Sequence, residues 1–110
     1  MATPALQFSA LADETRCRLV DLLRERPRPV HELAVAFSIS RPAISRHLRV
    51  LKEADLVEEE RRGRENVYSL RRAELKVLGT WLERHWASRL NRLKSLAESP
   101  DHRPQMELDL

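Results

Sequence analysis

The sequence predicts a mainly α-helical domain that carries one small β-hairpin and ends in a long helix. Three observations carry this. Apolar residues recur every three or four positions through most of the chain, two short strand-like runs flank Gly63, and a leucine- and tryptophan-bearing helical stripe runs from Ala73 to about Ala97. With 110 residues, 42% of them hydrophobic and 34% charged, the chain has the size of one domain around one core.

The elements follow in order. A short first helix, Leu6 to Leu11, is expected to pack elsewhere than the helix that follows it. Asp13 is a good N-cap for a helix from Glu14 to Arg26, in which Leu11, Thr15, Leu19, Leu22 and Leu23 share one face and which Pro27 and Pro29 end. From Val30 to Phe37, Leu33, Ala34 and Phe37 again fall on one helical face, interrupted by Ser38-Ile39-Ser40. Ser40 caps a third strong helix, which tolerates Pro42 in its first turn. There Ile44, Leu48 and Leu51 form the apolar stripe, opposite Ser45, Arg46, Arg49 and Lys52. Val57 to Arg62 and Asn66 to Leu70 read as strands around Gly63, a charged hairpin. The long helix follows, with Leu75, Leu78, Leu82, Trp86, Leu90 and Leu93 advancing by three or four. Residues 98–110, with Pro100, Pro104 and acidic side chains, are expected to be a disordered tail, which leaves 1–97 as the folded unit.

Composition removes several classes of function. Cys17 is the one cysteine, so an internal disulfide and the paired-cysteine zinc frameworks are excluded. Two glycines cannot build a phosphate-cradling loop of the nucleotide-binding type. Ser, His and Asp occur, but no arrangement of nucleophile, base and oxyanion donors suggests an enzyme. No apolar run would span a bilayer and no secretory pattern opens the chain, so the expected location is the cytoplasm, without membrane insertion. The net charge of +3 hides a division: residues 1–97 hold nineteen Lys or Arg against thirteen Asp or Glu, residues 98–110 one against four. Seventeen of the twenty cations are Arg, whose planar fork suits phosphate and guanine edges, although a GC-rich genome would also favour Arg.

Two helices joined by a tight turn, the second bearing a basic face and followed by a charged hairpin, make a winged helix-turn-helix, here continued by a long C-terminal helix for which the family resemblance that follows implies a dimerisation role. The run from Ser40 to Val57, SRPAISRHLRVLKEADLV, closely resembles the recognition helix of ArsR-family bacterial transcriptional repressors. Leu11 to Arg16, LADETR, is similar to that family's first strong helix, and Arg62 to Leu70, RGRENVYSL, to its wing. The resemblance covers about residues 6–97 and implies a homodimeric, sequence-specific regulator, a repressor or autorepressor on a palindromic operator in double-stranded DNA. The competing reading is a winged-helix protein-interaction module whose basic surface is incidental. Ser38 and Asp55 stand where the family usually has Gly, so both turns are expected to be mildly strained or reshaped. Glu58, Glu59 and Glu60 in the first wing strand are expected to weaken wing contacts with DNA.

A helix in the major groove presents its N-terminal half to base edges, which directs Arg41, Ser45 and Arg46 at bases and Ser40, His47 and Arg49 at phosphates. Arg61, Arg62 and Arg64 at the hairpin complete the expected DNA surface. The resemblance implies that the last helix pairs with the first across a two-fold axis, through Leu6, Leu78, Leu82, Trp86, Leu90 and Leu93, with Trp81 extending the arc. No metal or other cofactor is expected. The family's cysteine-pair position reads Pro29-Val30-His31-Glu32-Leu33, and on the last helix Glu83 and His85 lack partners at Leu96 and Ser99. Cys17, between Arg16 and Arg18, is expected to be inert more readily than redox-active. The effector, a ligand or a partner protein, is not named by these residues.

Overall fold

The computed structural model describes residues 2–98, Leu90 and Glu98 by their backbone alone. Its elements are α1 (Pro4–Leu11), α2 (Glu14–Glu25), β1 (Arg28–Pro29), α3 (Val30–Val35), α4 (Arg41–Glu53), β2 (Val57–Arg62), β3 (Glu65–Leu70) and α5 (Arg72–Glu98). The chain divides into two compact units, one ending at Leu78 and one beginning at Gly79. Of the expected acidic tail, residues 98–110, Glu98 is the last residue of α5 and residues 99–110 lie outside the described residues.

In the first unit, side-chain caps start the helices. Thr3 Oγ1 accepts from the Leu6 N–H at 3.2 Å and opens α1 two residues before the expected start, with Pro4 in the first turn. The Asp13 carboxylate accepts from the Arg16 N–H at 2.9 Å and opens α2, and Ser40 Oγ accepts from the Ala43 N–H at 3.3 Å and opens α4. α2 stops at Glu25 because Arg26, extended at φ −171° and ψ 163°, precedes Pro27. α1 shares the core with α2 and α4 instead of packing elsewhere: Ala10 is buried, and Gln7 Nε2 donates to the Ala54 carbonyl at 3.1 Å.

Leu19, Leu23, Leu33, Ile44, Leu48, Leu51, Leu56 and Val57 are the largest fully buried side chains. Each hides enough apolar surface to contribute about 1.5–3 kcal/mol before entropy is counted. The stripe expected on α4 is therefore wholly interior. Leu78, expected in a dimer interface, is 4% exposed and belongs to this core. That is a correction: the first turns of α5 are committed to the chain's own fold.

The hairpin pairs Val57 with Leu70 through to Arg62 with Glu65. Gly63 turns it with φ 61°, in open space, so the requirement there is conformational and not steric. The sheet has one strand more than the sequence suggests. Arg28 and Pro29 pair antiparallel with Tyr68 and Val67, giving the order β1-β3-β2. A two-residue strand containing proline has no period to detect, and its place at the sheet edge is where proline is tolerated.

The turns at Ser38 and Asp55, both expected to be strained or reshaped, behave differently. Asp55 takes φ 59°, and its carboxylate accepts from the Ala2 N–H at 2.8 Å and from Arg71 Nη1 at 3.3 Å, contacts that offset the strain. Ser38 stays at negative φ. The end of α3 is instead tightened by bonds from the Ala36 and Phe37 N–H groups to the Leu33 and Ala34 carbonyls, which reshapes the turn without a left-handed residue.

The second unit continues the final helix. Leu82 and Leu93 are exposed, Trp81 and Trp86 half-buried. Along that helix Trp81 stacks on His85 at 4.2 Å between ring centroids, and the Arg89 guanidinium lies 5.1 Å over Trp86. Among the described residues no helix is long and apolar enough to cross a membrane.

Candidate nucleic-acid interface

Burial of Ile44, Leu48 and Leu51 sets the rotation of α4 about its axis. Beside that stripe, at spacings of four, four and three, run Arg41, Ser45, Arg49 and Lys52, which face the sheet across a cleft of about 330 Å³. Val30, Glu59, Asn66 and Tyr68 form its other wall. Arg46 lies outside the cleft and is exposed, about 100° further round the helix than Ser45. One helix thus offers two cationic surfaces, a stripe toward the wing and an outward-facing Arg46.

The expected DNA-facing cations fall into two electrostatic groups. Arg41, Arg46, Arg49 and Arg64 make no hydrogen bond or ion pair with another described residue. Arg61 donates to the Gly63 carbonyl at 3.0 Å, and Arg62 pairs with Glu60 at 3.2 Å. The Arg62 pair is exposed and of little energetic weight, so it yields readily to phosphate.

The three wing acids also divide. Strand alternation turns Glu58 and Glu60 to one face and Glu59 to the other, toward α4. Glu59 Oε2 accepts from the Tyr68 hydroxyl at 2.7 Å, and Oε1 accepts from Lys52 Nζ at 3.0 Å. The phenol, and after it the ammonium, hold the Glu59 carboxyl below the usual glutamate range. Burial, seconded by this carboxylate, pushes the Tyr68 phenol up. Sequence reasoning treated Glu59 only as one of three acids weakening the wing and assigned no part to Asn66 or Tyr68. Alternation alone separates Glu59 from its neighbours, but only the register, which sets Tyr68 opposite, reveals its partner.

His47 is turned toward the start of α2. Its Nδ1 lies 3.2 Å from Arg16 Nη1 and 3.8 Å from Asp13 Oδ2, while Arg16 Nε donates to the Ala10 carbonyl at 2.5 Å. The side chain expected at phosphate therefore joins a half-buried cluster that docks α4 on the α1–α2 junction. Of the expected interface leucines, Leu6 is exposed, as are Leu82 and Leu93, and the Leu90 side chain lies outside the described residues. Cys17 is exposed, its thiol directed at the Leu11 carbonyl at 2.9 Å. Among the described residues no three His, Cys, Asp or Glu side chains come together as metal ligands.

The family model for the bacterial regulatory proteins of the arsR family matches residues 13–59, from the cap of α2 to the middle of β2. The transcriptional regulator Rv2034 of Mycobacterium tuberculosis is 41% identical over 97 residues, 88% of this chain and 91% of that one. The transcriptional repressor SdpR of Bacillus subtilis is 36% identical over 75 residues, 68% and 83% of the two chains. Among solved structures, the homodimeric winged helix-turn-helix DNA-binding domain of Mb0332 from Mycobacterium bovis aligns with a TM-score of 0.58 at 26% identity, covering 94% of this chain and 86% of that one.

The cap at Asp13 is testable by pH. The Arg16 N–H, with the Arg16 and His47 charges, holds this carboxyl below its ordinary value, so its stabilising effect is present above about pH 4 and is lost as pH falls through the depressed folded value. Asp13→Ala is expected to lower unfolding free energy by about 1 kcal/mol at pH 7, and denaturant titrations at pH 7 and pH 3 should show the gap between variant and wild type closing. A gap that persists at pH 3 contradicts the carboxylate's role.

Capped helices, an interior stripe on α4 and cations without partners among the described residues beside a three-stranded wing, together with the relatives matched over most of the chain, place the protein in the arsR family of bacterial regulatory proteins, transcriptional regulators built on a winged helix-turn-helix DNA-binding domain.

Proposed function

We propose that the chain works in the cytoplasm as a homodimeric repressor that binds an imperfect palindromic operator. The observation that carries this is the exposed face of α4, where Arg41, Arg46 and Arg49 lack partners among the described residues while most other cations of this unit are satisfied. A side chain held ready for a ligand has no internal ion pair to break. Repression is the role printed for SdpR, and homodimerisation is the state printed for the Mb0332 domain. In a two-fold dimer the two α4 helices meet one duplex face about 34 Å, or 10 base pairs, apart, and the bound dimer covers promoter DNA against polymerase.

Roles divide by place on the surface and cut across the electrostatic grouping. Arg46, and with it Arg41, reads base edges, the guanidinium fork matching O6 and N7 of guanine. Arg49, Arg62 and Arg64 neutralise phosphate. Arg46→Ala should weaken cognate binding by about 1–3 kcal/mol and random-duplex binding little, whereas Arg62→Ala should weaken both and flatten the salt dependence by about one unit per lost contact, two contacts per dimer. Titrations of fluorescent duplexes at several salt concentrations read both effects. An Arg46→Ala variant with an intact ratio of cognate to random affinity contradicts the base-reading role.

Assembly is tested separately. Exposed Leu6, Leu82 and Leu93, with the half-buried Trp86, would be covered in a symmetric dimer. Sedimentation at micromolar concentration should give a dimer, and Leu82→Lys with Leu93→Lys should shift it to monomer. A wild-type monomer under those conditions contradicts the assembly.

A further inference from the structure

The α4–sheet cleft holds an acid where DNA-binding surfaces are ordinarily cationic. Of the charged side chains lining it, only Glu59 is negative, and it is the one wing glutamate whose strand position faces α4. Its two oxygens do different work: one holds the Tyr68 hydroxyl of the opposite strand, the other the Lys52 ammonium of the recognition helix. Glu59 is the more sheltered partner, with 25% of its side chain exposed against 51% for Lys52. Lys52 ends the stripe begun by Arg41, Ser45 and Arg49, yet unlike those arginines its charge is already met within the protein.

We infer that Glu59 is a positioning residue for DNA recognition: a single carboxylate between recognition helix and wing fixes their spacing and keeps the Lys52 ammonium from neutralising DNA phosphate. This rests on the DNA-binding reading above and deepens it. A random duplex is held by whatever phosphate contacts are within reach, so every mobile cation helps it. A cognate duplex requires base-reading and phosphate-binding groups in one fixed relation, which a pinned wing supplies. Holding Lys52 on Glu59 therefore suppresses sequence-independent binding more than it reduces cognate binding.

Glu59→Gln keeps an acceptor for the Tyr68 hydroxyl and removes the charge that retains Lys52. Its affinity for a random duplex should rise. The slope of log affinity against log salt should steepen by about 0.9 for each lysine released, hence about 1.8 per dimer, and the ratio of cognate to random affinity should fall. Adding Lys52→Met to Glu59→Gln should return the slope to the wild-type value. Glu58→Gln makes the same change of net charge on the outward face of the same strand and should move the slope far less. If Glu59→Gln melts below the working temperature, Glu59→Met serves in its place. Equal slopes for wild type and Glu59→Gln, or equal changes from Glu58→Gln and Glu59→Gln, overturn the inference while leaving DNA binding standing. Wild-type protein with no salt-dependent affinity for any duplex overturns the DNA-binding reading itself, and this inference with it.

Discussion

The arrangement depends on the burial of one stripe of α4. Ile44, Leu48 and Leu51 have no exposed surface, and each would forfeit about 1.5–3 kcal/mol of transfer free energy in water. That is several times the worth of any exposed ion pair on the helix, so apolar burial and not charge decides how α4 is rotated. Once the rotation is set, 3.6 residues per turn carry Arg41, Ser45, Arg49 and Lys52 toward the sheet and Arg46 outward. The His47 cluster with Arg16 and Asp13 then fixes α4 against the α1–α2 junction.

A second consequence is the distribution of unmet charge. Arg26 and Arg28 are held by Glu32, and Arg71 by Asp55 and Glu74. These pairs contribute to local order. On α4 the arginines have no such partners among the described residues, which leaves their interaction free energy available to an external polyanion. The wing is tempered by its acids: Glu60 meets Arg62 on one face, and Glu59 meets Lys52 on the other. The expectation that the acidic run weakens the wing treated three glutamates as one; their different faces give them different roles.

Much of this was legible in the sequence because local chemistry decides it. Asp13 and Ser40 announce their caps, the α4 stripe announces its interior face, and Gly63 announces the hairpin turn. What was hidden depends on pairing between distant segments. The strand at Arg28 and Pro29 exists only because β3 passes beside it. Tyr68 meets Glu59 only through strand register, and His47 meets Arg16 only because α2 and α4 pack together. Leu78 was misassigned for a related reason: periodicity shows that a residue faces apolar surroundings but not whose core supplies them. Asp55 takes the left-handed turn with its carboxylate held by two donors, whereas the turn at Ser38 closes by another route.

Backbone amide resonances followed during titration with a duplex carrying the operator will show whether duplex DNA is held on the arginine face of α4, which lacks partners among the described residues, together with the hairpin tip. The largest shifts are expected over residues 40–52 and 61–64, with the exposed surface around Cys17 and Asp21 unmoved. Shifts concentrated around Cys17 and Asp21, or spread evenly over the chain, would contradict that placement.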